Sequence, residues 1–137
     1  MADMYKHTHF AKALELMFPG LKDGKDFVVG QPVDPKTNSV TGAPTLMSWK
    51  SDKPRPTDEN VNAFFRQNEA LVRATVAREI RDSCLIASDP RTVVPPDAPP
   101  SVQAKAKEWQ DYRQALRDLP NQPNFPFTIV WPVAPSA

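Results

Sequence analysis

Residues 57–89 read TDENVNAFFRQNEALVRATVAREIRDSCLIASD, and the fold turns on this stretch. No proline or glycine interrupts it, and its apolar residues recur at three- and four-residue steps. Val61, Phe65, Val72, Val76, Ile80 and Cys84 lie near one stripe, which Phe64, Leu71 and Leu85 widen. Thr57 is a good N-cap, and Asp58 and Glu59 suit the positive end of a helix. The pattern predicts one long helix ending near Ser88, on the order of 45 Å long at 1.5 Å per residue. A small neighbouring unit cannot cover all of it. Part of the stripe must meet the C-terminal region, another copy or a partner.

Upstream of this helix, Lys53-Pro54-Arg55-Pro56 forms a rigid entry, because proline fixes φ. Residues 7–18 predict a short helix from the recurrence of Phe10, Ala13, Leu14, Met17 and Phe18. Thr8 is its expected N-cap, and Pro19-Gly20 stops it. Residues 26–31, with Phe27, Val28 and Val29, read as a strand, and residues 45–50 as a second. A polar loop joins them through the turn sequence Asp34-Pro35-Lys36-Thr37-Asn38. A two-stranded hairpin is marginal alone, so the first helix is expected to pack against it.

Downstream, residues 89–100 carry Pro90, Pro95, Pro96, Pro99 and Pro100 and predict an extended linker. Ser101 then opens a helix over residues 102–118, with Ala106, Trp109, Tyr112, Ala115, Leu116 and Leu119 on its apolar side. Arg113 and Arg117, near Asp111 and Asp118, read as a solvated charged face. The segment Phe127-Thr128-Ile129-Val130-Trp131 lies between Pro126 and Pro132. It is a candidate edge strand, or one that pairs with another chain. The expected fold is α+β: an N-terminal helix with a small β-hairpin, a long central helix, and a C-terminal helix with an extended Pro-rich tail. The expected division is a small α+β unit over residues 1–56 and a helical region over residues 57–137, with the linker at 89–100.

Composition narrows the function. The 137 residues suit one compact domain or two very small ones. The 16 prolines against 4 glycines imply short elements with stiff joints. Seventeen basic and 16 acidic side chains leave a net charge of +1, so no strong field draws in nucleic acid or anionic lipid. No apolar run approaches the roughly 20 residues needed to span a bilayer. The first residues lack the basic and apolar segments of a secretory signal, which points to a cytoplasm. The single cysteine, Cys84, fits a reducing compartment and falls in a helical apolar pattern, where packing is the expected role.

Motifs for catalysis are lacking. Gly20-Leu21-Lys22-Asp23-Gly24-Lys25-Asp26 superficially resembles a phosphate-binding loop. It has three residues between its glycines where that motif has four, and Asp26 stands where Ser or Thr should bind magnesium. His7 and His9 could share one face of a strand and hold a metal, but no acidic or thiol cluster lies nearby to complete a site. Surface histidines are the expected reading. With no nucleophile elbow and no Cys–His pair that a third group could orient, no enzyme, cofactor or metal is expected. Trp49, Trp109 and Trp131 are either core anchors or a binding surface, where aromatic anchors carry much of the energy.

A resemblance adds to this reading. It rests on Arg81-Asp82-Ser83-Cys84-Leu85-Ile86-Ala87-Ser88-Asp89, a proline-rich spacer, Trp109-Gln110-Asp111-Tyr112-Arg113-Gln114-Ala115-Leu116-Arg117-Asp118-Leu119, then Phe125-Pro126 and Val130-Trp131-Pro132. Residues 78–132 thereby resemble the phage tail assembly chaperone family, also known as tail-fibre assembly proteins. One departure matters: a tryptophan usually follows the Ser-Asp pair in that family, and Pro90 stands here. The helix before it is therefore expected to end early and to dock differently on the second. Phe18-Pro19-Gly20, Asp26-Phe27-Val28-Val29, Trp49 and Pro54-Arg55-Pro56-Thr57 resemble small phage tail proteins that accompany fibre genes.

The resemblance implies binding rather than catalysis. Fibre proteins are trimers with intertwined strands, which fold slowly and expose edges. A helper can cover those edges until trimerisation is complete, and a proline-hinged C-terminal segment suits that task. The implied role is that of a tail-fibre assembly chaperone acting in the host cytoplasm on a tail-fibre protein. The alternative is a permanent structural component of the virion tail, such as a fibre adaptor or baseplate protein. Self-association is open on this reading. Trp109, Tyr112, Phe127, Ile129 and Trp131 are the candidate partner-binding residues, although some of them must hold the C-terminal helix instead.

Overall fold

A computed structural model describes residues 2–136. The expected regions began at residue 1 and ended at residue 137, and those two residues lie outside the described ones. In order, the chain forms α1 (His7–Met17), β1 (Phe27–Gly30), β2 (Thr45–Trp49), α2 (Asp58–Gln67), α3 (Glu69–Ser88) and α4 (Pro100–Arg117). Two short 3-10 turns, Asp89–Thr92 and Leu119–Asn121, complete it. The fold is α+β, with an N-terminal helix, an antiparallel hairpin, a long central helical stretch and a C-terminal helix.

Two compact units divide the chain, one spanning Asp3–Val76 and the other running from Ala77 onward together with Ala2. In the first, α1 packs against α2 and β1. Its core is Phe10, Ala11, Ala13 and Leu14 from α1, Phe27 and Leu46 from the hairpin, Val61 and Phe65 from α2, and Val72 from α3. Phe10, Phe27 and Leu14 are fully buried. Each contributes roughly 1.5–3 kcal/mol by leaving water.

The hairpin pairs Phe27 with Trp49 and Gly30 with Thr45. Its register slips between Val28 and Val29, so Met47 is an extra residue on β2. A Cβ at Gly30 would meet the exposed Met47 side chain at 2.9 Å, so a larger residue there would push Met47 aside. The expected turn forms: Asp34 accepts from the Lys36 amide at 2.8 Å, and Asn38 adopts a left-handed φ of 59°. Trp49 stacks on Phe27 at 6.2 Å, meets Phe18 edge-on at 5.3 Å, and donates its indole N–H to Lys53 at 2.7 Å. It is an anchor of the first unit.

Four expectations need correction. The long helix is broken once, at Asn68, whose carboxamide donates to the Phe64 carbonyl at 3.0 Å. Asparagine competes locally with the helical ladder. Its backbone leaves helical values (φ −127°, ψ 29°), and the ladder resumes when Val72 donates to Asn68.

The second correction concerns the start of α1. Lys6 is the N-cap rather than Thr8, and His9 Nδ1 accepts from its amide at 3.0 Å. His9 is thus only 9% exposed and not a surface residue, whereas His7 is exposed.

Third, the linker contains a 3-10 turn at Asp89–Thr92, and α4 begins at Pro100 rather than after Ser101. Proline at the first helical position forfeits only an amide that the helix would not use.

Fourth, Phe127–Trp131 forms no strand: residues 129–136 are neither helix, turn nor strand. No described strand lies in their unit, and the Val130 backbone is bonded by the Gln122 side chain instead.

Candidate partner-binding surface

The second unit holds all five candidate residues. Its buried positions on α4 are Ala106, Trp109 and Leu116, followed by Leu119. Arg113, expected on a solvated face, has a side chain only 15% exposed. Its guanidinium donates to the Leu85 carbonyl and, at 2.8 Å, to Ser88 Oγ, and it pairs with Asp89. The last carbonyls of a helix lack internal partners and carry its negative end. A planar cationic fork satisfies both needs and ties α4 to the end of α3. Sequence reading misses this, because spacing on one helix says nothing about a carbonyl on another.

Around this cap the aromatics follow in order. Trp109 meets Tyr112 edge-on at 5.7 Å, and the Arg91 guanidinium sits 5.2 Å over the Trp109 ring. Tyr112 is half-buried against Cys84; desolvation, helped by the hydrogen bond to Cys84, raises its phenol pKa. Arg78 lies 5.6 Å over the ring of Phe125. Trp109 therefore packs in the interior, and Tyr112 sits between interior and surface. Pro90 opens the turn that carries Arg91 toward Trp109.

The remaining candidates lie on the tail. Phe127 is 40% exposed and lines an open groove of about 520 Å³ with Pro123, Asn124, Phe125 and Thr128. Ile129 and Trp131 are half-buried. Gln122 donates from Nε2 to the Val130 carbonyl at 2.7 Å and accepts from the Val130 amide at 2.9 Å. Val130 and Val133 themselves are 75% and 88% exposed. Sequence reading missed them, together with Ile86 at 71% and Val93 at 79%. The apolar stripe predicted along the central helix explains the pattern: Val61, Phe65, Val72 and Val76 are buried, but Ile80 is 44% exposed.

The unit built from Asp3–Val76 has its own open groove of about 520 Å³, lined by Met17, Phe18, Pro54, Pro56 and Phe64 among others. The stretch that resembled a phosphate loop is closed to anions. Asp26 accepts from the Lys22 amide at 2.8 Å, and Glu15 accepts from the Asp23 amide at 3.2 Å. Two carboxylates already occupy the amides a phosphate would need. Desolvation alone would raise the Glu15 carboxyl, but the hydrogen bond from Lys12, the bond from the Asp23 amide and the Lys12 and Lys22 charges outweigh it and hold the group below its ordinary pKa. Among the described residues no group of three or more His, Cys, Asp or Glu side chains could hold a metal ion. No described helix is long and apolar enough to cross a membrane.

Neither the curated proteins nor the solved structures include a match to this chain. Family comparison does find matches. Residues 10–73 match the XkdW protein family and residues 74–136 the phage tail assembly chaperone protein family. Both families belong to phage tail assembly and are non-catalytic in kind. The seam between the two matches falls within one helical turn of the boundary between the compact units at Val76 and Ala77. Sequence family and three-dimensional packing thus divide the chain at nearly the same place, and residues 74–136 are similar to the phage tail assembly chaperone protein family.

Proposed function

We propose that this chain is a tail-fibre assembly chaperone: it binds a tail-fibre protein in the host cytoplasm and assists its folding and trimerisation, with no covalent chemistry of its own. The observation that carries this reading is the apolar exposure of the chaperone-family unit. Ile86, Val93, Val130 and Val133 each leave more than two thirds of their surface in water. Isolated exposed apolar residues are ordinary, but these four are the most exposed large apolar side chains among the described residues, and that favours an interaction role for their unit. Phe127, Ile129 and Trp131 on the tail add aromatic and aliphatic anchors, whereas Trp109 is buried within the unit and Tyr112 half-buried.

Co-expression with neighbouring tail-fibre genes tests the reading. Soluble trimeric fibre should accumulate only when this chain is present. Fibre that folds equally well alone removes the chaperone role.

A second reading is a permanent fibre adaptor or baseplate component. The first unit favours it, because it has a complete core, a separate family match and its own groove. The protein inventory of purified mature particles separates the two, since a released helper should be missing from it.

A further inference from the structure

Two segments of the chain have backbone groups bonded by side chains where a neighbouring strand would otherwise bond them. On β2, the Leu46 amide donates to Asp58 at 2.9 Å and its carbonyl accepts from Arg55 at 3.0 Å. Leu46 is 7% exposed, so this edge is closed within the core of its unit. Charged side chains laid along an edge are a common protection against unwanted pairing.

The second segment, around Val130, differs in each respect. One neutral carboxamide, that of Gln122, bonds both its amide and its carbonyl. The Val130 side chain is 75% exposed rather than buried. In a hydrogen-bonded antiparallel pair, two facing residues exchange both N–H···O bonds. The Gln122 carboxamide supplies the same donor and acceptor that a facing strand residue presents. What fits Val130 is therefore a peptide backbone, and the occupant already there is a side-chain copy of one.

We propose that the tail around Val130 is a strand donor that pairs with an open strand edge on the partner protein, and that Gln122 holds the place until that edge arrives. This rests on the reading of the chain as a fibre-binding protein, and it names how the fibre is held. Main-chain bonds supply the grip and alternate side chains the specificity, the mode of β-strand addition. Pro132 limits the paired length on one side, because proline cannot donate to a ladder, and the turn in which the Phe127 and Thr128 amides donate to the Asn124 carbonyl limits it on the other. A short grip of this kind can be released once the fibre edges pair with one another. Gln122 also keeps the waiting segment bonded, so it is not a free template for aggregation.

The test uses the full chain and the neighbouring tail-fibre protein as probe, with affinity read by calorimetry. Val130→Pro removes the amide donor and should weaken binding by at least about ten-fold. Val130→Thr keeps the backbone and should bind within about two-fold of the parent. Gln122→Ala removes the competitor and should bind on the order of five-fold tighter, the scale of one or two modest hydrogen bonds. Binding by the parent chain that survives Val130→Pro overturns this inference alone. Gln122→Ala that weakens binding as much as Val130→Pro also overturns it, because the tail would then have to stay on Gln122. A dimer of Gln122→Ala in sedimentation would assign the segment to self-pairing instead. Absence of any binding by the parent chain refutes the chaperone reading itself and this inference with it.

Discussion

Replacing Arg113 with alanine tests the architecture of the chaperone-family unit most sharply. Three contacts are lost. The ion pair with Asp89 counts for little, because Asp89 is 63% exposed and water screens it. The bonds to the Leu85 carbonyl and to Ser88 Oγ are worth more, since the donor is charged and Ser88 is only 3% exposed. Ser88 itself keeps a partner, because its hydroxyl lies 2.8 Å from the Cys84 carbonyl. The Leu85 carbonyl keeps only the longer contact from the Ser88 hydroxyl at 3.2 Å in place of a charged donor, so the net loss should be about 2 kcal/mol. For a unit of this size that lowers the melting temperature by roughly 10 °C. Urea and thermal unfolding should be followed by Trp109 and Trp131 fluorescence in a Trp49→Phe background. Arg113→Lys keeps the charge but loses the fork, and should recover about half of the loss. In a double-mutant cycle, Arg113→Ala and Ser88→Ala should couple by about 1 kcal/mol. Strictly additive effects, or a loss under about 0.5 kcal/mol for Arg113→Ala, would refute the cap.

Three further outcomes are expected. Phe27→Ala empties a fully buried site against Trp49 and should cost the first unit about 3–5 kcal/mol in chemical denaturation. His9 should make that unit acid-sensitive. Burial, with the Arg73 charge second, lowers its pKa from 6.5 to about 4, while Asp3 and Glu69 act weakly the other way. The folded state thus resists the proton, and its amide bond from Lys6 needs Nδ1 unprotonated. Stability from this group is complete above about pH 6.5 and declines as pH falls toward 4, by at most about 3 kcal/mol; unfolding of His9→Asn at pH 7 and pH 4.5 should show most of that pH dependence gone. Trp131→Ala should weaken fibre binding by about 2 kcal/mol or more if the ring is an interface anchor, and calorimetry with the fibre protein reads this directly.

What the sequence disclosed follows a physical line. Local signals with local partners were legible. Thr57 caps α2 as expected, with Oγ1 accepting from the Asn60 amide at 3.1 Å and Asn60 returning a bond to the Thr57 amide at 3.0 Å. The apolar step of α1 marked its buried face, and the polar turn at residues 34–38 formed as its composition dictates. Signals whose partner is distant were not legible. His9 reads as a surface residue until Phe65 and Arg73, far along the chain, close over it. Arg113 reads as solvated until α3 ends beside it. Asn68 carries only a weak propensity against helix, and its own side chain makes that into a break. The candidate site divides in the same way: ring-rich positions were visible as types, but only packing separates the buried Trp109 from the exposed Phe127.

A chain that acts as a tail-fibre chaperone should raise the yield of assembled fibre by holding apolar and strand-forming surface on an unassembled partner. Dilution of denatured tail-fibre protein into buffer, with and without one equivalent of this chain, measures that yield as trimer in sedimentation. More trimer and less aggregate are expected when the chain is present, with that gain lost in Val130→Pro. Equal trimer yield in both samples would contradict the chaperone role.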